Sequence, residues 1–101
     1  MSEKRSYAGT VPSLAEYGER ILFGEVWERP GLSKRDRSLI TVAALIAAHR
    51  PDQMPFHMGR AIENGVTPDE LREVITHLAF YAGWPSAVTA AETLGPVLAQ
   101  Q

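Results

Sequence analysis

A ten-residue run in the middle of the chain, "LITVAALIAA" at residues 39–48, does most to limit what this sequence can fold into. It is apolar almost all round, with Thr41 as its one polar residue, and it follows directly on a charged stretch of Lys34, Arg35, Asp36 and Arg37. Spanning a bilayer as a helix takes about 20 apolar residues, so this run is too short to do so. It also lacks the period-two alternation of a half-buried strand. It therefore reads as a helix starting after Ser33 and running to about His49, the central and most buried one of the fold. Its alanines permit close helix contacts.

The remaining segments carry helix start and stop signals. "SLAE" at residues 13–16 fits a capping box, and the helix it opens runs to about Glu28, where Arg29-Pro30-Gly31 ends it. Asp52 is the expected cap of a third helix, with Pro55 tolerated in the first turn and Gly65 at the left-handed position past its end. "TPDE" at residues 67–70 gives the clearest start: cap, proline at the first helical position, then acids facing the positive end of the dipole. That helix runs to Ala82, and Gly83 ends it. A last helix begins near Pro85 and is expected to bend or stop at Gly95-Pro96. The fold class is all-α: one domain over residues 12–101 with about five helices, behind a flexible arm at residues 1–11. A chain of 101 residues builds one modest core and leaves apolar surface over, so a homo-oligomer is expected.

Composition excludes several classes of function. The formal charge is −2 with no basic block, which gives no electrostatic footprint for nucleic acid. The chain has no cysteine, so disulfides, zinc–thiolate sites, iron–sulfur clusters and thiol redox chemistry are ruled out. Its three histidines have no clustered spacing, so no metal site is expected. There is no glycine-rich phosphate loop and no G-x-S-x-G elbow. The polar start "MSEKRSYAGTVPSL" lacks the apolar core of a signal peptide, so a cytoplasmic location is expected, with no membrane segment.

The fourth helix has more than one face that suits apolar neighbours. Leu71, Val74, Ile75, Leu78 and Ala82 form a core stripe, while His77 and Tyr81 lie on another flank with Glu70 and Glu73, near Phe80 and Trp84. A solvent-only face would not gather three aromatics and a histidine. Phe80 and Trp84 suit packing against a partner subunit. His77 and Tyr81, spaced i,i+4, are surface neighbours, and both donate hydrogen bonds. On the third helix His57 lies on the inward side beside Met54 and Met58, either as a core histidine or in an anion pocket with Arg50 and the helix start. His49 ends the second helix, where an imidazolium suits the dipole, and reads as structural. Arg35 and Arg37 sit at the unfavourable end of the same dipole, which calls for carboxylates from Asp36, Glu28 or a ligand.

At "RPGLSKRDRSLITVAALIA" and "PFHMGRAIENGVTPDELREVITHLAFYAGWPSAVTA" the sequence resembles the carboxymuconolactone decarboxylase family, within the AhpD-like superfamily. The likeness runs over residues 24–92. It implies an all-helical fold assembled as a trimer or hexamer, with the site close to subunit contacts. Thiol-dependent members of the superfamily carry the pattern E-x(11)-C-x-x-C-x-x-x-H. Counting back from His57, the cysteine positions hold Gln53 and Arg50 and the glutamate position holds Ser38, so only the histidine matches. A thiol peroxidase mechanism is excluded, and the chain looks like the cysteine-free decarboxylase branch.

That resemblance implies decarboxylation of a small lactone carboxylate, 4-carboxymuconolactone, in aromatic-compound catabolism by the β-ketoadipate route. It implies no cofactor, because the lactone is its own electron sink. Such a site needs a cation for the substrate's arm carboxylate, a donor for the developing oxyanion and an acid for carbon. Arg37 or Arg50 would supply the first, Tyr81 or Ser38 the second, and His57 or His77 the third. His57 is preferred as the acid because it alone matches the superfamily's site histidine. The competing expectation is a non-catalytic or differently specific oligomer that binds a small molecule.

Overall fold

The computed structural model describes residues 7–101; residues 1–6, the first part of the expected arm, lie outside the described residues. Residues 7–10 form turns, with the amides of Thr10 and Val11 donating to the carbonyl of Tyr7 at 3.0 and 2.9 Å. Among the described residues every regular element is helical and there is no strand. The described residues hold five α-helices: α1 Pro12–Tyr17, α2 Lys34–Ala47, α3 Met54–Glu63, α4 Pro68–Leu78 and α5 Trp84–Ala99. None of these helices is long and apolar enough to cross a membrane. The chain divides into two compact units, one ending at Lys34 and the other running Arg35–Gln101.

The first unit departs from its sequence signals. The expected capping box at residues 13–16 does not form: α1 starts two residues earlier, at Pro12, with Val11 in the cap position and no side-chain cap bond. Proline takes the start because its φ is already helical and it has no amide to satisfy. The single helix expected up to Glu28 is broken into α1, a π-helical stretch Gly18–Phe23 and a 3₁₀ turn Val26–Glu28. Gly24 closes the π stretch, and a Cβ there would meet the Arg20 carbonyl oxygen at 2.6 Å. Glu16 and Arg20 pair at 2.6 Å on the surface, and the Phe23 and Trp27 rings stack at 6.0 Å. Arg29 turns extended ahead of Pro30, as a residue before proline must.

In the second unit α2 ends at Ala47, two residues short of the expected His49. His49 takes the left-handed conformation (φ 55°), and the amides of His49 and Arg50 turn back to the carbonyls of Ile46 and Leu45. The same double closure ends α3, with Gly65 at φ 103°. Asp52 is not the cap of α3: it lies in a 3₁₀ turn, Pro51–Gln53, that leads directly into Met54. The start of α4 is as its sequence signals. Thr67 Oγ1 accepts from the Glu70 amide at 3.1 Å, and Glu70 Oε1 accepts from the Thr67 amide at 2.9 Å. α4 stops at Leu78, before a turn through residues 79–82, and α5 runs through Gly95 and Pro96 without stopping.

The core of this unit is built from Val42 and Ile46 of α2, Met54, Met58 and Ala61 of α3, Leu71 and Ile75 of α4, and Ala87, Ala90, Leu94 and Val97 of α5, with Val66 of the connection. Burying side chains such as Ile46, Met58 or Leu71 contributes roughly 1.5–3 kcal/mol each. α5 packs on both α3 and α4, and its small residues at 87 and 90 bring the helices close. α2 is not the most buried helix. Only Ser38, Val42 and Ile46 are fully inside, and Ile40 is 55% exposed.

Candidate functional site

The residues singled out from sequence fall in distinct places. His57 is buried on α3, with its Nδ1 inside the protein and its ring edge-on to Phe56 at 4.9 Å. The helix places it there because Met54, Met58 and Ala61 share its inward side and are fully buried. His77 and Tyr81 are both exposed at the end of α4, and their rings stack at 4.9 Å and 29°. The i,i+4 spacing brings this pair together although the last turn is no longer α-helical. The two histidines therefore sit on different helices, one inside and one outside.

Ser38 is fully buried and accepts a hydrogen bond of 2.9 Å from Asn64 Nδ2, tying α2 to the end of α3. Its neighbour Arg37 is half-buried, with Nε inside. Arg50 is exposed and donates to the Ala48 carbonyl at 3.2 Å, across the end of α2. His49 stands nearby, with Nδ1 3.3 Å from Ser86 Oγ near the start of α5.

An open groove of about 470 Å³ runs between α2 and α4, floored by apolar side chains including Leu39, Ile40, Val74 and Leu78. Glu70, Glu73 and His77 line its polar side. His77 is the one predicted site residue in it. Glu70 Oε2 pairs with Arg35, which also reaches Asp36 at 3.4 Å, and Lys34 pairs with Glu28 at 2.8 Å. Asp36 and Glu28 are carboxylates expected at the basic start of α2, and Glu70 of α4 joins them as the partner of Arg35. The Thr67 amide, then the Arg35 guanidinium, hold the Glu70 carboxyl below its ordinary range. A second hollow of about 350 Å³ lies between α4 and α5, lined mainly by apolar residues such as Ile75, Leu94 and Leu98.

Two residues absent from the sequence reading stand beside the predicted ones. Asn64 partners Ser38, and Arg60, one turn after His57, holds its guanidinium carbon 6.0 Å from the Phe56 ring centre. The signal was present as spacing: residues 57, 60 and 64 share one face of α3. Among the described residues no group of three or more acids and histidines is placed to hold a metal ion.

Comparison with known proteins places these features. The family model described as "Carboxymuconolactone decarboxylase family" matches residues 12–94, most of the chain. The chain belongs to the carboxymuconolactone decarboxylase family. Within that family it is similar to a 4-carboxymuconolactone decarboxylase of Acinetobacter baylyi, 48% identical over 71 residues that make up 70% of this chain and 53% of the relative. It is also similar to the nitrosuccinic acid decarboxylase npaB of Metarhizium robertsii, 43% identical over 68 residues, 67% of this chain and 48% of the relative. An uncharacterized 15.0 kDa protein of Paracoccus denitrificans is 26% identical over 101 residues, 98% of this chain and 75% of the relative. The chain thus spans about half the length of the two decarboxylases it matches. The family match takes in α1, α2, α3 and α4 and most of α5, and so includes every predicted site residue.

Proposed function

We propose that this protein is a cofactor-free decarboxylase acting on a small, activated dicarboxylate, with 4-carboxymuconolactone as the first candidate. The carrying observation is the pair of relatives above 40% identity, both named as decarboxylases of different substrates. The two substrate names share a chemical logic. Each molecule has an electron sink of its own, an unsaturated lactone in one and a nitro group in the other. Each also keeps a carboxylate after CO2 has left.

For the lactone, the C–C bond to the leaving carboxylate breaks and its electron pair passes through the ring alkene into the lactone carbonyl. CO2 departs and a furanolate-like anion remains. Protonation on carbon then gives the enol-lactone. No oxidant, reductant or metal is consumed. His57 is assigned the proton delivery, as a buried imidazole that can carry a proton. Tyr81 or Ser38 would meet the oxyanion, and Arg37 or Arg50 the arm carboxylate. His77 is the alternative acid.

The reaction is proposed to run in a homo-oligomer, a trimer or hexamer, in the cytoplasm. Assembly is supported by Phe80, Tyr81 and Trp84, which are 79%, 80% and 66% exposed in the single chain. Water-facing aromatics at this density are unusual outside interfaces.

The deciding assay follows the ultraviolet absorbance of 4-carboxymuconolactone, and in parallel the loss of nitrosuccinate, with purified protein and no added metal. Turnover of either is the expected result. His57→Ala should then lose on the order of 100-fold in rate while staying folded. A wild-type protein inert toward both compounds would sink the decarboxylase reading, and full turnover by folded His57→Ala would sink the proton assignment alone.

A further inference from the structure

We infer that the face formed by α2 and α4 packs antiparallel against the same face of a second copy, about a two-fold axis near Ala43; this rests on the assembly proposed above. The two helices lie side by side and run the same way. Arg35 meets Glu70 at their starts, and His49, just past α2, stands 3.3 Å from Ser86, in the first turn of α5. The groove between them therefore has two unlike ends. Glu70 and Glu73 line it where the helices start, and His77 lines it towards the other end, where Tyr81 stacks on it. Arg50 and Trp84 are exposed at that second end. Between the ends the face is apolar, with Leu39, Ile40 and Ala43 from α2 and Val74 and Leu78 from α4.

Such a face is complementary to itself. Turning a second copy end over end sets its basic, aromatic end on the acidic end of the first. The same contact repeats on the other side of the axis, as an isologous interface requires. Glu70 is paired with Arg35 inside the chain, while Glu73 is exposed beside it and meets Arg50 of the second copy. The Arg35–Glu70 pair fixes the register: Glu73 lies about one turn further along, near the level of Ser38. Matching Glu73 with Arg50 of the second copy then puts the axis close to Ala43 and the exposed Ala44, whose small side chains let two helices approach. It also sets the exposed Ile40 against Trp84 of the second copy. A small molecule in the groove would cover its floor but leave Trp84 in water; a second copy covers both. A two-fold contact belongs to a hexamer built from three such pairs, and not to a bare three-fold ring.

The chain has no cysteine, so one introduced thiol reports on this geometry without background. Ala43→Cys and Ala44→Cys are oxidised with diamide and run on a denaturing gel without reductant, with Ala91→Cys, exposed on α5, as the control. Equivalent thiols join only where both lie close to a two-fold axis, since a disulfide needs its two Cα atoms within about 7 Å. A covalent dimer in at least one of the first two variants, and none in the control, is expected. Sedimentation equilibrium then tests the charges. Glu73→Arg and Arg50→Glu each act twice per contact and should each weaken self-association on the order of 10- to 100-fold. The double variant restores both pairs in reverse and should return to within about 3-fold of wild type. If a charge variant fails to fold, the cross-links decide alone. No cross-link at 43 or 44, equal cross-linking of the control, single variants that associate as wild type, or a double variant no tighter than the singles each overturn this pairing and leave assembly in place. A wild type that sediments as a monomer overturns assembly and this contact with it.

Discussion

His77 and Tyr81 stack their rings at 4.9 Å on the outside of the protein, where Tyr81 is 80% exposed. An aromatic pair held together in full solvent gains little for the chain that carries it. With Phe80 and Trp84 it makes an apolar surface that suits a second copy. Trp84→Glu, or Phe80→Glu, should shift sedimentation toward smaller species and leave far-ultraviolet circular dichroism unchanged. Central aromatic anchors contribute roughly 2 kcal/mol or more to an interface. An unaltered sedimentation profile in both variants would count against assembly through this surface.

Glu70 divides its carboxylate between the Thr67 amide and Arg35, and both contacts favour the ionised form. Its folded value lies below the ordinary 4.5, so the stabilisation is fully present above that value. It fades as pH falls through the folded value. Glu70→Gln keeps a side chain able to close the capping box but removes the charge. Wild type should therefore be the more stable protein at pH 7, and urea melts of the two should converge in acid. A gap of constant size down to pH 3 would show that the charge is not what Glu70 contributes.

Asn64→Ala removes the donor to a hydroxyl that has no access to water, since Ser38 is 0% exposed. Losing one partner of a buried hydrogen bond costs about 1–3 kcal/mol. Adding Ser38→Ala to that variant should recover part of the loss, because the stranded hydroxyl is gone. A double-mutant cycle by denaturant unfolding measures the coupling. Strictly additive losses would mean that the two groups do not depend on each other.

His49 holds φ 55° without being glycine, a conformation that costs roughly 1–2 kcal/mol in a residue with a Cβ. His49→Gly should stabilise the protein by up to about 1 kcal/mol, after the weaker contact to Ser86 at 3.3 Å is lost. Thermal melts with and without Ser86→Ala separate the two contributions. Destabilisation in the Ser86→Ala background would contradict the backbone account.

Much of the fold was legible because proline, glycine and cap residues act locally. Thr67 and Gly65 each do in the structure what their neighbours in sequence suggest, whereas Gly83 precedes α5 at φ 104° and does not end α4, which stops at Leu78. Failures came where two local signals compete. Pro12 overrode the Ser13 capping box, and the 3₁₀ turn at Pro51–Gln53 displaced Asp52. Gly95-Pro96 did not stop α5, because Leu94 and Val97 on either side are buried and hold the helix in place. For the site, spacing was enough to join His77 with Tyr81. It could not say that His57 is inside and His77 outside, since that depends on which helices cover each face. Asn64 went unseen because its partner, Ser38, comes from packing and not from a sequence neighbour.

Pro96 has one more consequence. Having no amide hydrogen, it leaves the Glu92 carbonyl without its donor from the next turn of α5. The helix therefore consists of a long stretch up to that missing rung and a short one after it. The short stretch is attached chiefly by the burial of Val97 and the partial burial of Leu98. In hydrogen exchange, amides beyond Pro96 should open as a separate, low-stability unit, well before those around Ala90.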